Sequence, residues 1–152
     1  MKKSVFVVIL SIAFLPFANG QMVKLTIYVE STHVSPKSGL NIRYEDPYLG
    51  YEIGVFYQES RFLDNVRGTD VNSFPRSYEK MFTGLYLACP IMQRDWLDLK
   101  FNVRTGVTNN ETFVITPMVT SDLKLAPFLQ IGGGIGTRSF RPTFMTHLTI
   151  NI

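Results

Sequence analysis

The sequence predicts an all-β fold, a single antiparallel up-and-down β-barrel of eight strands, with seven as the rival count. Three observations predict it. Apolar and polar residues alternate with period two through most of the chain beyond residue 20, the mark of strands with two unlike faces. Convincing apolar spacing at i, i+3, i+4, i+7 is missing, so amphipathic helices are not expected. Finally, 152 residues make one domain, and so many antiparallel strands on one short chain need closure to remove their edges.

The first twenty residues form no part of that pattern. Lys2 and Lys3 precede an apolar run from Val5 to Leu15, then Pro16-Phe17 and the small-residue stretch Ala18-Asn19-Gly20. This order of charge, apolar run and small residues predicts a signal peptide over 1–20, cleaved before Gln21, with the barrel domain over 21–152. A retained N-terminal anchor helix is the alternative, although the run falls short of the roughly 20 residues of a membrane span. No Cys lies near the cleavage site, which disfavours a lipoprotein. A Gln at that position resembles exported proteins of one Gram-negative group. Removing Lys2 and Lys3 leaves thirteen basic against twelve acidic residues, a net charge near +1. Basic residues are also scattered, so nucleic acid is not an expected partner.

The strands follow in order. Val23, Leu25, Ile27 and Val29 alternate with Lys24, Thr26, Tyr28 and Glu30. A short strand over 39–45 carries Leu40, Ile42 and Tyr44, and it is the one whose pairing separates eight strands from seven. Leu49, Tyr51, Ile53, Val55 and Tyr57 alternate with Gly50, Glu52, Gly54 and Gln58. Residues 79–90 and 112–121 are rich in β-formers. Between them, Leu97, Leu99, Phe101, Val103 and Val107 alternate with Asp98, Lys100, Asn102, Arg104 and Gly106. A run from Leu123 through Leu125, Leu129, Ile131 and Ile135 opposes Lys124, Gln130, Gly132, Gly134 and Gly136. The last run sets Phe144, Leu148, Ile150 and Ile152 against Met145, His147, Thr149 and Asn151. Turn chemistry marks Ser35–Gly39, Asp46-Pro47, Gln93–Asp95 and Asn109-Asn110, with Asp122 as a further turn residue. One longer connection runs from about Arg61 to Tyr78.

Alternation does not say which face points inward. A soluble exported barrel would hide Leu97, Leu99, Phe101 and Val103 around a small apolar ligand; a membrane barrel would turn them outward. The glycines of the polar face (Gly50, Gly54, Gly132, Gly134, Gly136) suit a narrow interior. The same face holds Glu52, Asp98, Lys100, Arg104, Lys124 and His147, a mixture able to pair as a lumen network. Aromatics near strand ends (Tyr44, Tyr48, Tyr57, Tyr78, Trp96, Phe113, Phe140, Phe144) suit interfacial girdles, or serve as ordinary strand residues. With its signal peptide, two-residue periodicity, short turns and final apolar strand, the chain resembles the small eight-stranded outer-membrane barrels of Gram-negative bacteria. The resemblance covers the whole mature chain and matches no invariant motif. It implies a bacterial outer-membrane location, contact with membrane lipid and lipopolysaccharide, a filled lumen, and the 61–78 loop outside the cell. In such proteins the terminal apolar residue also helps signal insertion, although the usual terminal aromatic is absent at Ile152.

Chemistry-bearing residues are few. His33, His147 and Cys89 are the only ones of their types, too few for a structural zinc site, and no cofactor is expected. Cys89 before Pro90 reads as an inert apolar side chain. Gly132–Gly136 superficially matches a dinucleotide fingerprint, but no helix or phosphate-loop Lys follows; close packing explains these glycines better. His147 and Thr149 lie two apart on one strand face, so they form a low-specificity candidate for a base and nucleophile. That spacing is similar to the His and Ser of outer-membrane lipid A deacylases, with Thr149 in place of Ser and unlike flanking residues. The competing reading is a lumen His within a hydrogen-bond network. In the long loop, Arg61, Arg67 and Arg76 are candidate contacts for a surface partner or lipopolysaccharide phosphates, against a simply solvated loop. A non-enzymatic barrel is the leading expectation, with the soluble ligand binder and the lipid A hydrolase as alternatives.

Thiols placed at 99 and 100 separate the two orientations. In a membrane barrel, Leu99→Cys labels with a lipid-soluble reagent while Lys100→Cys does not. The opposite pattern marks the soluble barrel.

Overall fold

A computed structural model describes residues 22–32, 36–60, 81–109 and 111–152. The predicted signal peptide, His33 and the 61–78 loop, with Arg61, Arg67 and Arg76, lie outside the described residues. Eight strands form the fold: β1 (Met22–Ser31), β2 (Pro36–Glu45), β3 (Glu52–Glu59), β4 (Met81–Gln93), β5 (Leu97–Thr108), β6 (Phe113–Ala126), β7 (Leu129–Arg138) and β8 (Arg141–Asn151). Each pairs antiparallel with its sequence neighbours. β1 pairs with β8 from Lys24↔Asn151 to Ser31↔Phe144, closing the sheet into an up-and-down barrel. Closure satisfies the backbone groups that an open edge would expose.

Strands that enter together must leave together, so the connections segregate. Both ends of the described chain share one mouth with the turns at 46–51, 94–96 and 127–128. At the β2–β3 turn, Asp46 Oδ1 accepts from the amides of Tyr48 at 2.9 Å and Leu49 at 2.8 Å, the local bonding that suits Asp to turns. At the opposite mouth, Ser139 and Phe140 adopt φ of 50° and 63°, a left-handed pair of the kind that matches strand twist in a two-residue hairpin.

Four local expectations are corrected. Pro36 to Gly39 belongs to β2, with Pro36 at the first strand position, where its missing N–H is tolerated. Gly39 sits there because a Cβ would fall 2.3 Å from Tyr28 Cζ; the glycine makes room for a buried ring. Tyr51 and Leu49 are exposed in the turn and β3 begins at Glu52, so Gly50 is a turn glycine and not a lumen one. Asp122 lies inside β6, buried to 1 % exposure. The turn falls instead at Pro127-Phe128, dividing the run read from Leu123 to Ile135 between β6 and β7.

The burial pattern is inverted relative to a water-soluble barrel. Lys24, Glu30, Arg43, Glu52, Lys100 and Arg104 are buried, whereas Ile27, Ile42, Ile53, Val55, Leu85 and Ile135 are exposed. On β5 the charged side chains Asp98, Lys100 and Arg104 point inward, and Leu97, Leu99, Phe101 and Val103 lie on the outer wall. The expected apolar cavity of a soluble ligand binder is therefore corrected: those four side chains do not line the interior. Two small apolar clusters occur inside, one of Phe56, Phe82, Tyr86, Ala88 and Val114 and one of Tyr28, Met118 and Met145.

Gly39→Val tests the close approach to Tyr28. The substitution is expected to cost about 1–3 kcal/mol through overpacking, seen as a lower urea midpoint of the refolded barrel. An unchanged midpoint refutes this account of β2.

Candidate functional site

The interior is built by the inward positions of all eight strands, and its polar groups fall into two tiers. In the tier nearer the chain ends, Glu52 on β3 is the hub. Its Oε2 lies 2.7 Å from Arg43 NH1 on β2, and its Oε1 lies 2.6 Å from Lys100 Nζ on β5 and 3.2 Å from Lys24 Nζ on β1. Glu45 pairs with Lys24 and stands 3.7 Å from Lys100. Arg43 NH1 also donates to Tyr86 Oη at 3.0 Å, and NH2 to Thr26 at 2.5 Å and Thr149 at 3.0 Å. The cationic carbon is 5.0 Å from the centre of the Tyr86 ring. Every strong charge here has an opposite charge beside it, which buried ions require.

His147 on β8 and Asp122 on β6 meet across β7 through Nε2 and Oδ1. They flank Gly132, which pairs with Asp122 on one side and His147 on the other. A Cβ at Gly132 would stand 2.5 Å from both interacting atoms, so only glycine lets the two side chains reach over the intervening strand.

The second tier lies toward the other mouth. Arg104 NH2 on β5 is 3.0 Å from Glu30 Oε2 on β1, the strand on the opposite wall. Arg138 NH1 on β7 donates to Gln58 Oε1 on β3 at 3.0 Å, again spanning the barrel. Gln58 and Thr143 donate to Glu30 at 2.7 and 2.8 Å. The guanidinium of Arg138 stacks 4.2 Å from the centre of Phe82, whose ring meets Phe56 edge-on at 4.6 Å. Aromatic faces and fixed carboxylates thus hold both guanidinium groups.

Between the tiers remains a cavity of about 10 Å³, lined by Tyr28, Asn41, Arg43, Arg104 and His147 among others. Among the described residues, side chains fill the lumen between the tiers. A cup of about 720 Å³ indents the mouth shared by the chain ends, lined by Lys24, Glu45, Asp98, Lys124, Gln130 and Asn151 among others.

Of the residues singled out in the sequence, Glu52, Lys100 and His147 lie within the first tier and Arg104 within the second. Asp98 and Lys124 pair at 2.9 Å at the cup, where Lys124 also donates to the Arg94 carbonyl at 2.9 Å. His147 and Thr149 share a face but bond elsewhere, His147 to Asp122 and Thr149 to Thr26 and Arg43. Sequence reasoning missed Glu30, Arg43, Glu45, Asp122 and Arg138 as members of these clusters. Glu30 already stood on the polar side of β1; Asp122 was hidden by its turn-forming residue type.

No protein-family model matches the chain, and no curated protein matches it in sequence. Solved structures do match. A chain from a de novo design of transmembrane β-barrels aligns with TM-score 0.63 and 9% identity, covering 87% of this chain and 94% of that one. The designed barrel TMB2.3 aligns with TM-score 0.61 and 11% identity, covering 90% and 98%. Ail, the attachment invasion locus protein of Yersinia pestis, aligns with TM-score 0.44 and 9% identity, covering 88% and 97%. The two designed barrels show the same fold at these identities, and fold alone.

Removing the hub carboxylate tests the first tier. Glu52→Leu leaves Lys24, Arg43 and Lys100 without their shared partner and is expected to cost about 3–5 kcal/mol. The double variant with Lys100→Met is expected to recover part of that loss. Urea unfolding followed by fluorescence of Trp96, the single tryptophan, measures both; equal midpoints for Glu52→Leu and the parent refute the hub.

Proposed function

We propose that the protein is a non-enzymatic outer-membrane β-barrel with an apolar wall facing lipid and a lumen closed by side chains. The inverted burial carries this reading. Exposed Ile, Leu, Val and Phe side chains lose nothing against hydrocarbon, while the interior charges are paired away from it. Aromatics ring both ends of the aliphatic wall: Tyr48, Tyr51, Trp96 and Phe128 near the chain ends, and Tyr57, Phe113, Phe140 and Phe144 toward the other mouth, all exposed. Such side chains favour the two membrane–water boundaries.

Export through the 1–20 segment delivers the chain to the outer membrane, with the chain ends in the periplasm. Segment 61–78 then faces outward, and Arg61, Arg67 and Arg76 meet a surface partner or the phosphates of lipopolysaccharide. Thr149 is bonded to Thr26 and Arg43 and not to His147, which supports a structural role for the pair in preference to lipid A hydrolysis, although Asp122 stands where an orienting carboxylate would. The filled cross-section supports a barrel that conducts no ions.

Fractionation and bilayer recording test the proposal together. The protein is expected in the outer-membrane fraction, extracted only by detergent, with heat-modifiable gel mobility, no unitary conductance steps and no change in lipid A acylation. A detergent-free soluble monomer overturns the membrane reading. A changed lipid A profile that His147→Ala abolishes overturns the non-enzymatic one.

A further inference from the structure

At the chain-end mouth the packed interior gives way to the cup. Two of its three cationic side chains are engaged, Lys24 by Glu45 and Glu52 and Lys124 by Asp98 and the Arg94 carbonyl, and Arg94 is the third. Two acceptors lack a donor. Gln130, only 4 % exposed, has an unpartnered Oε1, and Asn151 has an unpartnered Oδ1. Asn151 Nδ2 donates to the Pro127 carbonyl at 3.0 Å, so turning its amide over would forfeit that bond; the oxygen remains the free atom. Beside them stand the carboxylates of Asp98 and Glu45. A buried acceptor without a donor is costly, and here two such acceptors border a cup whose lining holds four carboxylates, with Asp46 and Asp95, against three cations.

We propose that the cup binds the ammonium end of a primary amine. Three N–H donors and one positive charge match two amide oxygens and a carboxylate, while an anion would meet a lining with one carboxylate more than it has cations. Among the described residues no group of three His, Cys, Asp or Glu side chains is placed to hold a metal ion, which favours an organic cation. Ala126, Pro127 and Pro47 on the wall suit an aliphatic stem. The volume, about 720 Å³, falls in the range of small-molecule sites. The same chemistry is offered by a free alkylamine and by a lysine side chain of a polypeptide. The cup and its acceptors are properties of the barrel mouth and do not depend on which solvent surrounds the wall.

The test uses the whole barrel in detergent micelles, with NMR of the Gln130 and Asn151 side-chain amides. n-Pentylammonium represents a free amine, Nα-acetyl-lysine methylamide a chain-borne one, and n-pentanol the uncharged control. Saturable shifts with either amine and none with pentanol are expected; the tighter amine identifies the source. Gln130→Leu should weaken binding roughly tenfold. Gln130→Glu, which keeps size and adds charge, should tighten it and carries the test should the leucine variant not fold. Absence of a saturable shift with both amines, equal shifts with pentanol, or affinity unchanged in the folded variants overturns the proposal.

Discussion

The carboxylate of Glu52, shared among Lys24, Arg43 and Lys100, braces the cross-section of this barrel. Backbone ladders close the circumference but leave open how a ring of eight strands is braced across its middle. Glu52 stands on β3 and reaches β1 and β5, which face each other across the lumen, so one side chain ties opposing walls. The second tier does the same twice, Arg104 to Glu30 between β5 and β1 and Arg138 to Gln58 between β7 and β3. Long, paired side chains act here as struts, where a soluble barrel would use interlocking apolar groups.

That choice has an energetic consequence. Paired buried ions offset a large desolvation cost and give modest net stability, but they penalise any arrangement that separates them. Register is therefore under electrostatic control. Slipping one strand by a residue turns its charged set outward and its apolar set inward, which would strand the partners left in the lumen. The Asp122–Gly132–His147 arrangement adds a steric condition to the charge condition, because its two polar side chains meet only across a residue without a Cβ.

The described residues toward each mouth pack differently. Toward Ser139-Phe140, guanidinium groups lie against Phe56, Phe82 and Tyr28, and charge and ring packing fill the same space. Toward the chain ends, the shorter side chains of Asp98, Gln130 and Asn151 border open volume, with acceptor atoms left over. Among the described residues the two tiers fill the middle of the lumen, and the cup opens at the mouth the chain ends share.

Period two made the strands, their faces and the all-β class legible: Val23–Glu30 and Leu97–Arg104 each announce one apolar and one charged row. Local residue chemistry misled where tertiary demands overrode it. Gly39 looked like a turn residue and proved to be space for Tyr28, and Asp122 looked like a turn and proved to be the partner of His147. Sequence by itself determined the alternation and which residue types share a face, because side chains on a strand must point to opposite sides. Only the tertiary structure decided which face is interior and which charges meet. Glu52 lies 28 residues from Lys24 and 48 from Lys100, and only closure between β1 and β8 sets the curvature that brings them to one point.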